Sequence, residues 1–595
     1  MSTKEIKGRL AALRKELTAR DLDGFVIPLT DEHQSEYVAD GAQRLAWISG
    51  FTGSFGSAIV LMDKAAAFTD GRYTLQIEAQ VDGELFARCH FQQQPPKDWL
   101  TENLTDGMRI GYDPFLHTIG WVTEFSDALA FKGAELVPVD SNPVDAAWLD
   151  RPGEPNQPVV IHGFEFTGEE SADKRARLAE ELRRQGADAV ILTALDSIAW
   201  LFNIRSADVL HTPVSLAYAV LGNDGRGLLF LDESKATDEL RQGLGTEVTI
   251  RPKSGFIDYL RGLQGRTIVA DPATASAAVF AALEEAGARI LRTPDPCSLP
   301  KAIKNETELE GARRAHVRDG VAVSRFLKWF AEEAPKGGLS EISAADKLLW
   351  FRKQGEHYRD TSFSTISGAG PNGAIIHYRA SQETNRQIEP GIVYLIDSGA
   401  QYLDGTTDIT RTLAVGEVGD EPKDRFTRVL KGHIALGSAI FPEGTTGSQL
   451  DALARQPLWQ AGLDYDHGTG HGVGSYLAVH EGPGRISPWP NTIALRPGMI
   501  FSNEPGYYKA GAYGIRIENL VYVRQVDSPG ERQMLGFREL TLAPIDRNLI
   551  ALPLLEDREL DWLNSYHARV REEIAPHLDG AEREWLVSQT EAISR

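Results

Sequence analysis

Leu10, Leu13 and Leu17 recur at helical spacing in "MSTKEIKGRLAALRKEL", which predicts an amphipathic helix at the start of the chain. A short turn and the apolar run "FVIP" follow, and they predict a strand. The same succession returns later: "RLAALRKELTARDLDGFVIPLTD" (9–31) parallels "RLAEELRRQGADAVILTALD" (177–196). Each is followed by a tryptophan segment, "LAWISGF" (45–51) and "IAWLFNI" (198–204), with about a dozen extra residues before the first one. Alternating helix and strand signals make both parts α/β, and the pair reads as a diverged repeat. A third part opens at Asn305 and Glu308, which have capping-box spacing ahead of "ELEGARRAHVRDGVAVSRFLKWF" and predict a long helix. Short apolar runs punctuated by glycine come next, in "IVYLIDSGAQYLDGTTDITRTLAV", "PGMIFSNEPGYY" and "YGIRIENLVYV", and read as strands and hairpins. Leu560, Leu563, Val570 and Ile574 return to helical spacing, predicting a C-terminal helix that docks on a core or on a partner chain.

Two proline-rich stretches, "DRPGEPNQP" (150–158) and "RTPDPCSLP" (292–300), read as seams. They divide the chain into segments 1–152, 158–295 and 300–550, with a tail at 551–595. A length of 595 residues agrees with several domains, because single cores stop growing near ~250–300 residues. The formal net charge of −22 argues against a nucleic-acid partner, which would require clustered Lys and Arg. Cys89 and Cys297 are the only cysteines and form no C-x-x-C, which excludes a disulfide scaffold and a cysteine zinc cage. With no apolar core of signal-peptide type and no run approaching the ~20 apolar residues of a membrane span, a soluble, cytoplasmic protein is expected.

The candidate chemistry lies in the third part. "DHGTGHGVG" (466–474) places His467 and His471 four residues apart, a zinc-helix spacing, but four interspersed glycines argue against a helix there. His377 in "AIIHYRA", Asp397 and Asp408 in "LIDSGAQYLDGTTDITRT", His480 in "AVHEGPG", and Glu504 and Glu518 in "FSNEPGYYKAGAYGIRIEN" complete the set. Singly, each has an ordinary reading. Asp397 and Asp408 can bond within turns, Glu504 can be a loop carboxylate, and the lone histidines can be satisfied core residues. Alternation in "IRIEN" puts Arg516 and Glu518 opposite Ile515 and Ile517, which taken alone predicts a solvated face. Together, two aspartates, two glutamates and one histidine match two divalent cations, and oxygen-rich donors favour harder ions such as Mn²⁺. "GAGPNG" (368–373) fits G-x-G-x-x-G, but the internal Pro371 and the following "AIIHY" argue against a dinucleotide fingerprint. No phosphate-binding Walker sequence occurs, and "DSGAQ" does not supply the G-x-S-x-G of a serine hydrolase.

The stretches "HYRA", "LIDSGAQYLDGTTDITRT", "HGTGHGVGSYLAVHEGP", "NEPGYY" and "GIRIEN" occur in the order in which they appear in the M24-type pita-bread metallopeptidases. The chain most resembles the long, three-domain Xaa-Pro aminopeptidases of that family. That resemblance implies an α/β and α+β multidomain chain, with two creatinase-like α/β N-terminal domains ahead of a C-terminal pita-bread catalytic domain. It also implies two bound cations, most simply Mn²⁺, with Zn²⁺ or Co²⁺ as alternatives. Asp397, Asp408, His471, Glu504 and Glu518 resemble the metal ligands, with Asp408 and Glu518 bridging. His377, His467 and His480 resemble the histidines that contact substrate, and Glu504 the group that also carries protons. The implied reaction is removal of the first residue from peptides with proline in position two, by hydroxide held between the cations. His377 and His480, with aromatics such as Tyr378, are expected to shape the proline slot, and a homodimer is expected. The first two domains are assigned scaffold or gating roles, narrowing the entrance to unfolded peptides. Three other readings compete: an Xaa-Pro dipeptidase, usually a shorter chain; a creatinase-like hydrolase, which would lack the four carboxylates; and a non-catalytic binding module, which would have lost ligands.

Overall fold

A computed structural model describes residues 2–595 and divides the chain into two compact units that meet between Ser298 and Leu299. The first unit contains two six-stranded sheets. In one, β1 (Gly24–Pro28), β2 (Ser57–Leu61), β3 (Ala65–Thr69), β4 (Ala87–His90), β5 (Arg109–Tyr112) and β6 (Glu135–Pro138) take the order β4-β3-β2-β1-β5-β6. In the other, β7 (Ala189–Leu192), β8 (Tyr218–Gly222), β9 (Gly227–Leu231), β10 (Val248–Pro252), β11 (Thr267–Ala270) and β12 (Arg289–Arg292) take the order β10-β9-β8-β7-β11-β12. The pairing directions also correspond. The first strand of each sheet is antiparallel to its hairpin neighbour and parallel to the strand that follows a crossover. The repeat read from the sequence is therefore a repeat of topology. Helix α1 (Thr3–Ala19) buries Leu10, Leu13 and Leu17, and the tryptophan segments form α2 (Arg44–Ser49) and α4 (Leu195–Leu201), with α3 (Ser171–Arg184) as the counterpart of α1.

The second unit is mixed α/β. Helix α5 (Glu306–Glu333) begins at the anticipated box: the Asn305 side chain accepts from the Glu308 N–H, and the Glu308 carboxylate accepts from the Asn305 N–H. Strands β13 (Ile366–Ala369), β14 (Val393–Ser398) and β15 (Ile409–Ala414) make an antiparallel three-stranded sheet. A 3₁₀ turn, Gly370–Ala374, follows β13, so "GAGPNG" opens no helix. A six-stranded sheet contains β16 (Ile440–Pro442), β17 (Gly470–Gly472), β18 (Glu481–Ile486), β19 (Ile500–Asn503), β22 (Asn519–Val526) and β23 (Met534–Glu539), in the order β16-β23-β22-β19-β17-β18. Strands β20 (Gly506–Lys509) and β21 (Tyr513–Arg516) form a separate hairpin. Helices α6 (Asp420–Gly437) and α7 (Gly447–Trp459) pack on one another. The tail forms α8 (Asp557–Ile574), whose Leu560, Leu563, Val570 and Ile574 join the same core as Ile434 of α6 and Ile515 of β21. Its apolar face thus docks within its own unit. Among the described residues, no helix is long and apolar enough to cross a membrane.

Two buried histidines are expected to make this fold acid-sensitive. Burial pushes His433 and His567 down to about 3, helped by the nearby Arg411 charge. The Ile545 N–H donates to His567 Nε2 at 3.1 Å, a bond that requires the neutral ring. The unfolded state takes up these protons near ~6.5 and the native state does not, so stability present above that pH is lost as pH falls toward 3. Each ring should cost about 2 kcal/mol between pH 7 and 5. Thermal melts at those two pH values check this, and His433→Gln should flatten the pH dependence; an equally steep dependence in the variant would refute it.

Candidate metal centre

The second unit brings the predicted donors together from three of its sheets and hairpins. Asp397 is the penultimate residue of β14, opposite Thr410 in β15, and Asp408 immediately precedes β15, so one antiparallel pairing carries both aspartates to the same end. His471 is the middle residue of β17, at a register shift between β17 and β18 that re-aims its side chain. Glu504 leaves β19 and is fixed by its N–H donating to Thr469 O at 2.8 Å. Glu518 lies between β21 and β22, with its N–H donating to Thr410 O at 3.2 Å. The glycines beside His471 have a steric reason. A Cβ on Gly470 would fall onto the Ser502 carbonyl oxygen, and one on Gly472 onto that of Glu481.

Asp408, His471 and Glu518 present ligand atoms that all lie within 4.8 Å of one another, and no other such group of three or more donors occurs among the described residues. His471 Nε2 is 3.5 Å from Asp408 Oδ2 and 3.4 Å from Glu504 Oε1. Its Nδ1 faces Gly472 O at 2.9 Å, which makes Nδ1 the donor and leaves the Nε2 lone pair aimed at two carboxylates. Lone pairs converge in this way on a cation. Asp397 Oδ1 and Asp408 Oδ1 are buried without a hydrogen-bond partner, which is costly for carboxylates unless an ion takes them. Four carboxylates and an imidazole therefore fit a pair of divalent cations.

The electrostatics agree. Burial, then the charges of Asp397 and Glu504, holds Asp408 well above the usual carboxylate range. Glu518 is raised by burial and by Asp408, Asp397 and Glu504. Glu504 is raised by burial, against the lowering influence of His471 and Arg516. Asp397, Asp408 and Glu518 are buried and form the floor, whereas His471 and Glu504 beside them are partly exposed and form the open side; His377 and His480 are partly exposed as well.

His480 stands edge-on to His471, with ring centroids 4.3 Å apart. His467 is buried; its Nδ1 donates to Gly468 O at 2.7 Å, and its Nε2 accepts from the Tyr508 hydroxyl at 2.9 Å. His377 follows Ile376, whose carbonyl accepts from Arg516 Nη2 at 3.4 Å, so its turn borders the same network. Tyr378 is buried, and its hydroxyl donates to Glu341 Oε2 at 2.8 Å, so its polar end is committed to the scaffold.

Arg516 corrects one expectation. The "IRIEN" face is not solvated: Arg516 and Glu518 are each 1% exposed. The Arg516 guanidinium bonds Asp397 Oδ2 at 2.6 Å, the Tyr508 hydroxyl oxygen at 2.6 Å and Thr410 Oγ1 at 3.1 Å. Thr410 in turn donates to Glu518 Oε2 at 2.7 Å, and Ser502 donates to Glu504 Oε1 at 3.0 Å. The sequence pattern placed Arg516 on a solvated face and did not single out Tyr508, Thr410 or Ser502, although all four stand inside the motifs that carry the donors. The usable signal was the alternation itself, which puts a cation and a carboxylate on one face. Farther out, Glu481, the residue after His480, is buried between the ammonium groups of Lys301, at 2.9 Å from Oε1, and Lys304.

Comparison with known proteins gives this geometry a family. Residues 310–525 match Metallopeptidase family M24, and 533–593 match the C-terminal region of peptidase M24. Residues 9–146 and 150–308 each match a Creatinase/Prolidase N-terminal domain. The chain is 42% identical to Aminopeptidase P2 of Arabidopsis thaliana, over 96% of this chain and 86% of that protein. It is 44% identical to a probable Xaa-Pro aminopeptidase P of Laccaria bicolor, over 97% of this chain and 92% of that one. The crystal structure of X-prolyl aminopeptidase from Caenorhabditis elegans, described as a cytosolic enzyme with a di-nuclear active site, superposes with a TM-score of 0.94 at 35% identity, covering 99% and 100% of the two chains. An Xaa-Pro dipeptidase from Bacillus anthracis matches 63% of this chain and 99% of its own, with a TM-score of 0.52 at 26% identity. With two creatinase-type domains, a pita-bread catalytic domain and full-length relatives of this kind, the chain belongs to metallopeptidase family M24, in its aminopeptidase P branch.

Proposed function

We propose that this protein is a metal-dependent Xaa-Pro aminopeptidase, releasing the first residue of peptides whose second residue is proline. The observation that carries this reading is the convergence of Asp408, His471 and Glu518 within 4.8 Å, beside orphaned oxygens on Asp397 and Asp408. Asp397, Asp408, His471, Glu504 and Glu518 would hold two divalent cations, Mn²⁺ being the ion proposed for so oxygen-rich a set. When bound, the cations supply Lewis-acid polarisation of the scissile carbonyl and a hydroxide nucleophile at neutral pH.

The chain's own groups do the rest. Glu504 is on the open side and accepts from Ser502 at 3.0 Å, which suits it to hold a proton and hand it to the leaving proline nitrogen. That nitrogen belongs to a tertiary amide and offers no N–H, so recognition falls to ring shape. His377 and His480 would border the proline, and His467, held by Tyr508, would face the substrate. The division into 1–152, 158–295, 300–550 and 551–595 is proposed on the proline-rich seams.

Hydrolysis by metal-stripped protein, with and without Mn²⁺, tests the reading on an Xaa-Pro-Pro tripeptide, an Xaa-Pro dipeptide and an Xaa-Ala tripeptide. Mn²⁺-dependent release of the first residue from the proline tripeptide alone is the expected result. Preference for the dipeptide would replace the reading with a dipeptidase, and no cleavage of any peptide with a binding module. Light scattering on the same sample tests the proposed homodimer, which a mass of 65.4 kDa would refute.

A further inference from the structure

Arg411 follows Thr410 in β15, and its side chain is fully enclosed, the residue being 2% exposed. All its hydrogen bonds go to neutral acceptors. Nε donates to Pro544 O at 3.0 Å, and Nη1 to Thr410 O at 2.9 Å and Glu518 O at 2.7 Å. Nη2 donates to Asn519 Oδ1 at 2.9 Å, Ala543 O at 2.8 Å and the Tyr566 hydroxyl oxygen at 3.0 Å. A buried guanidinium ordinarily sits against a carboxylate, because an unpaired charge in a protein interior is strongly disfavoured. No carboxylate bonds this one. The acid whose charge acts on it is Glu518, and the link is indirect: Arg411 grips the main chain on either side of the Thr410–Glu518 hydrogen bond.

The far end of the grip is in the C-terminal helix. Tyr566 of α8 is 5% exposed, and its ring stacks on Trp562 with centroids 5.3 Å apart. Its hydroxyl oxygen accepts from Arg411 and from the Ala543 N–H at 3.3 Å, and its O–H faces the carbonyls of Ala543 and Thr541 at 2.9 and 3.1 Å. One hydroxyl therefore ties the helix to β15 through Arg411, to residues 541–543, and, at 3.4 Å from Asn519 Oδ1, to the residue after Glu518.

We infer that Arg411, clamped by Tyr566, is a positioning residue for the metal centre: it sets the backbone at Thr410 and Glu518 and keeps a fixed positive charge behind the carboxylates. This makes the C-terminal helix part of the apparatus that determines metal affinity. The inference rests on the proposed reading of Glu518 as a metal ligand. It accounts for a feature that packing alone leaves unexplained, a buried cation with no anion on it.

The test is Mn²⁺ titration of the metal-stripped, full-length protein, followed by the electron paramagnetic resonance signal of free Mn²⁺. Wild type is compared with Tyr566→Phe, Arg411→Lys and Leu563→Ala. Tyr566→Phe removes only the hydroxyl, and Arg411→Lys keeps the charge but loses the planar fork. Both should weaken binding of at least one Mn²⁺ about 10-fold or more, the usual range for groups that orient ligands. Leu563 is fully buried on the same helix, and Leu563→Ala should lower the melting temperature at least as much while leaving Mn²⁺ affinity within about 2-fold. Wild-type affinity in both polar variants, whatever their melting temperatures, would overturn the inference and reduce the clamp to packing. Equal weakening by Leu563→Ala would overturn it too. A wild type that binds no Mn²⁺ would instead overturn the metal reading, and this inference with it.

Discussion

Asp408→Asn is expected to abolish turnover and yet stabilise the metal-free protein. Asp408 is buried, shares a 4.8 Å neighbourhood with His471 and Glu518, and has one oxygen without a protein partner. Asparagine has nearly the same shape and removes a negative charge. Ligand-orienting groups typically cost 10–100-fold in activity or affinity when mutated, so loss of a ligand itself should cost on the order of 10³-fold or more. Without metal, the same carboxylate is surrounded by Asp397, Glu504 and Glu518, and both burial and those charges oppose its ionisation. Relief of that repulsion should raise the stability of the stripped protein by about 1–2 kcal/mol at pH 8. Denaturant melts of stripped wild type and variant, with turnover of the reloaded proteins, decide the matter. Retained turnover would remove Asp408 from the ligand set, and an unaltered melt would remove the repulsion argument.

The second large effect is expected at Arg516. Arg516→Met leaves Asp397 Oδ2 without its 2.6 Å partner and takes away a cation whose charge acts on Asp397, Asp408, Glu504 and Glu518. Breaking a buried pair on one side typically costs about 3–5 kcal/mol, and that range is expected for the metal-free protein at pH 8. The pH dependence has a definite sign. Asp408, Glu504 and Glu518 have folded pKa values above their unfolded ones, so their contribution is fully present below the ordinary carboxylate range near ~4 and is lost as pH rises through the folded values. The Arg516→Met penalty should therefore shrink at pH 5, where Asp408, Glu504 and Glu518 are more fully protonated. Added Mn²⁺ should recover part of it at pH 8. A penalty that is the same at both pH values would mean that Arg516 acts through packing and not through charge.

These two residues mark what was legible beforehand. Asp408 taken alone read as an ordinary turn aspartate; it became a candidate only through its occurrence with Asp397, His471, Glu504 and Glu518 and through the family resemblance of "LIDSGAQYLDGTTDITRT". The duplicated α/β pattern was legible because helix, turn and strand are local, and the tryptophan segments gave the two copies a common landmark. Arg516 was misread because alternation along a strand reports which residues share a face, not what covers it. In this chain the face meets Asp397 and Thr410, more than a hundred residues earlier in the sequence. Arg411 and Tyr566 were illegible for the same reason: an arginine in a strand and a tyrosine in a helix acquire meaning only when the tail folds back onto β15.

The pair of lysines on Glu481 has a practical consequence for dissecting the protein. Lys301 and Lys304 reach that carboxylate within a few residues of the junction at Ser298 and Leu299, and Glu481 is the neighbour of His480. A fragment begun at residue 299 keeps both cations, whereas one begun at Asn305, where the long helix visibly starts, strands a buried anion next to His480. The natural cut point is therefore set by charge bookkeeping six residues upstream of the point that secondary structure suggests.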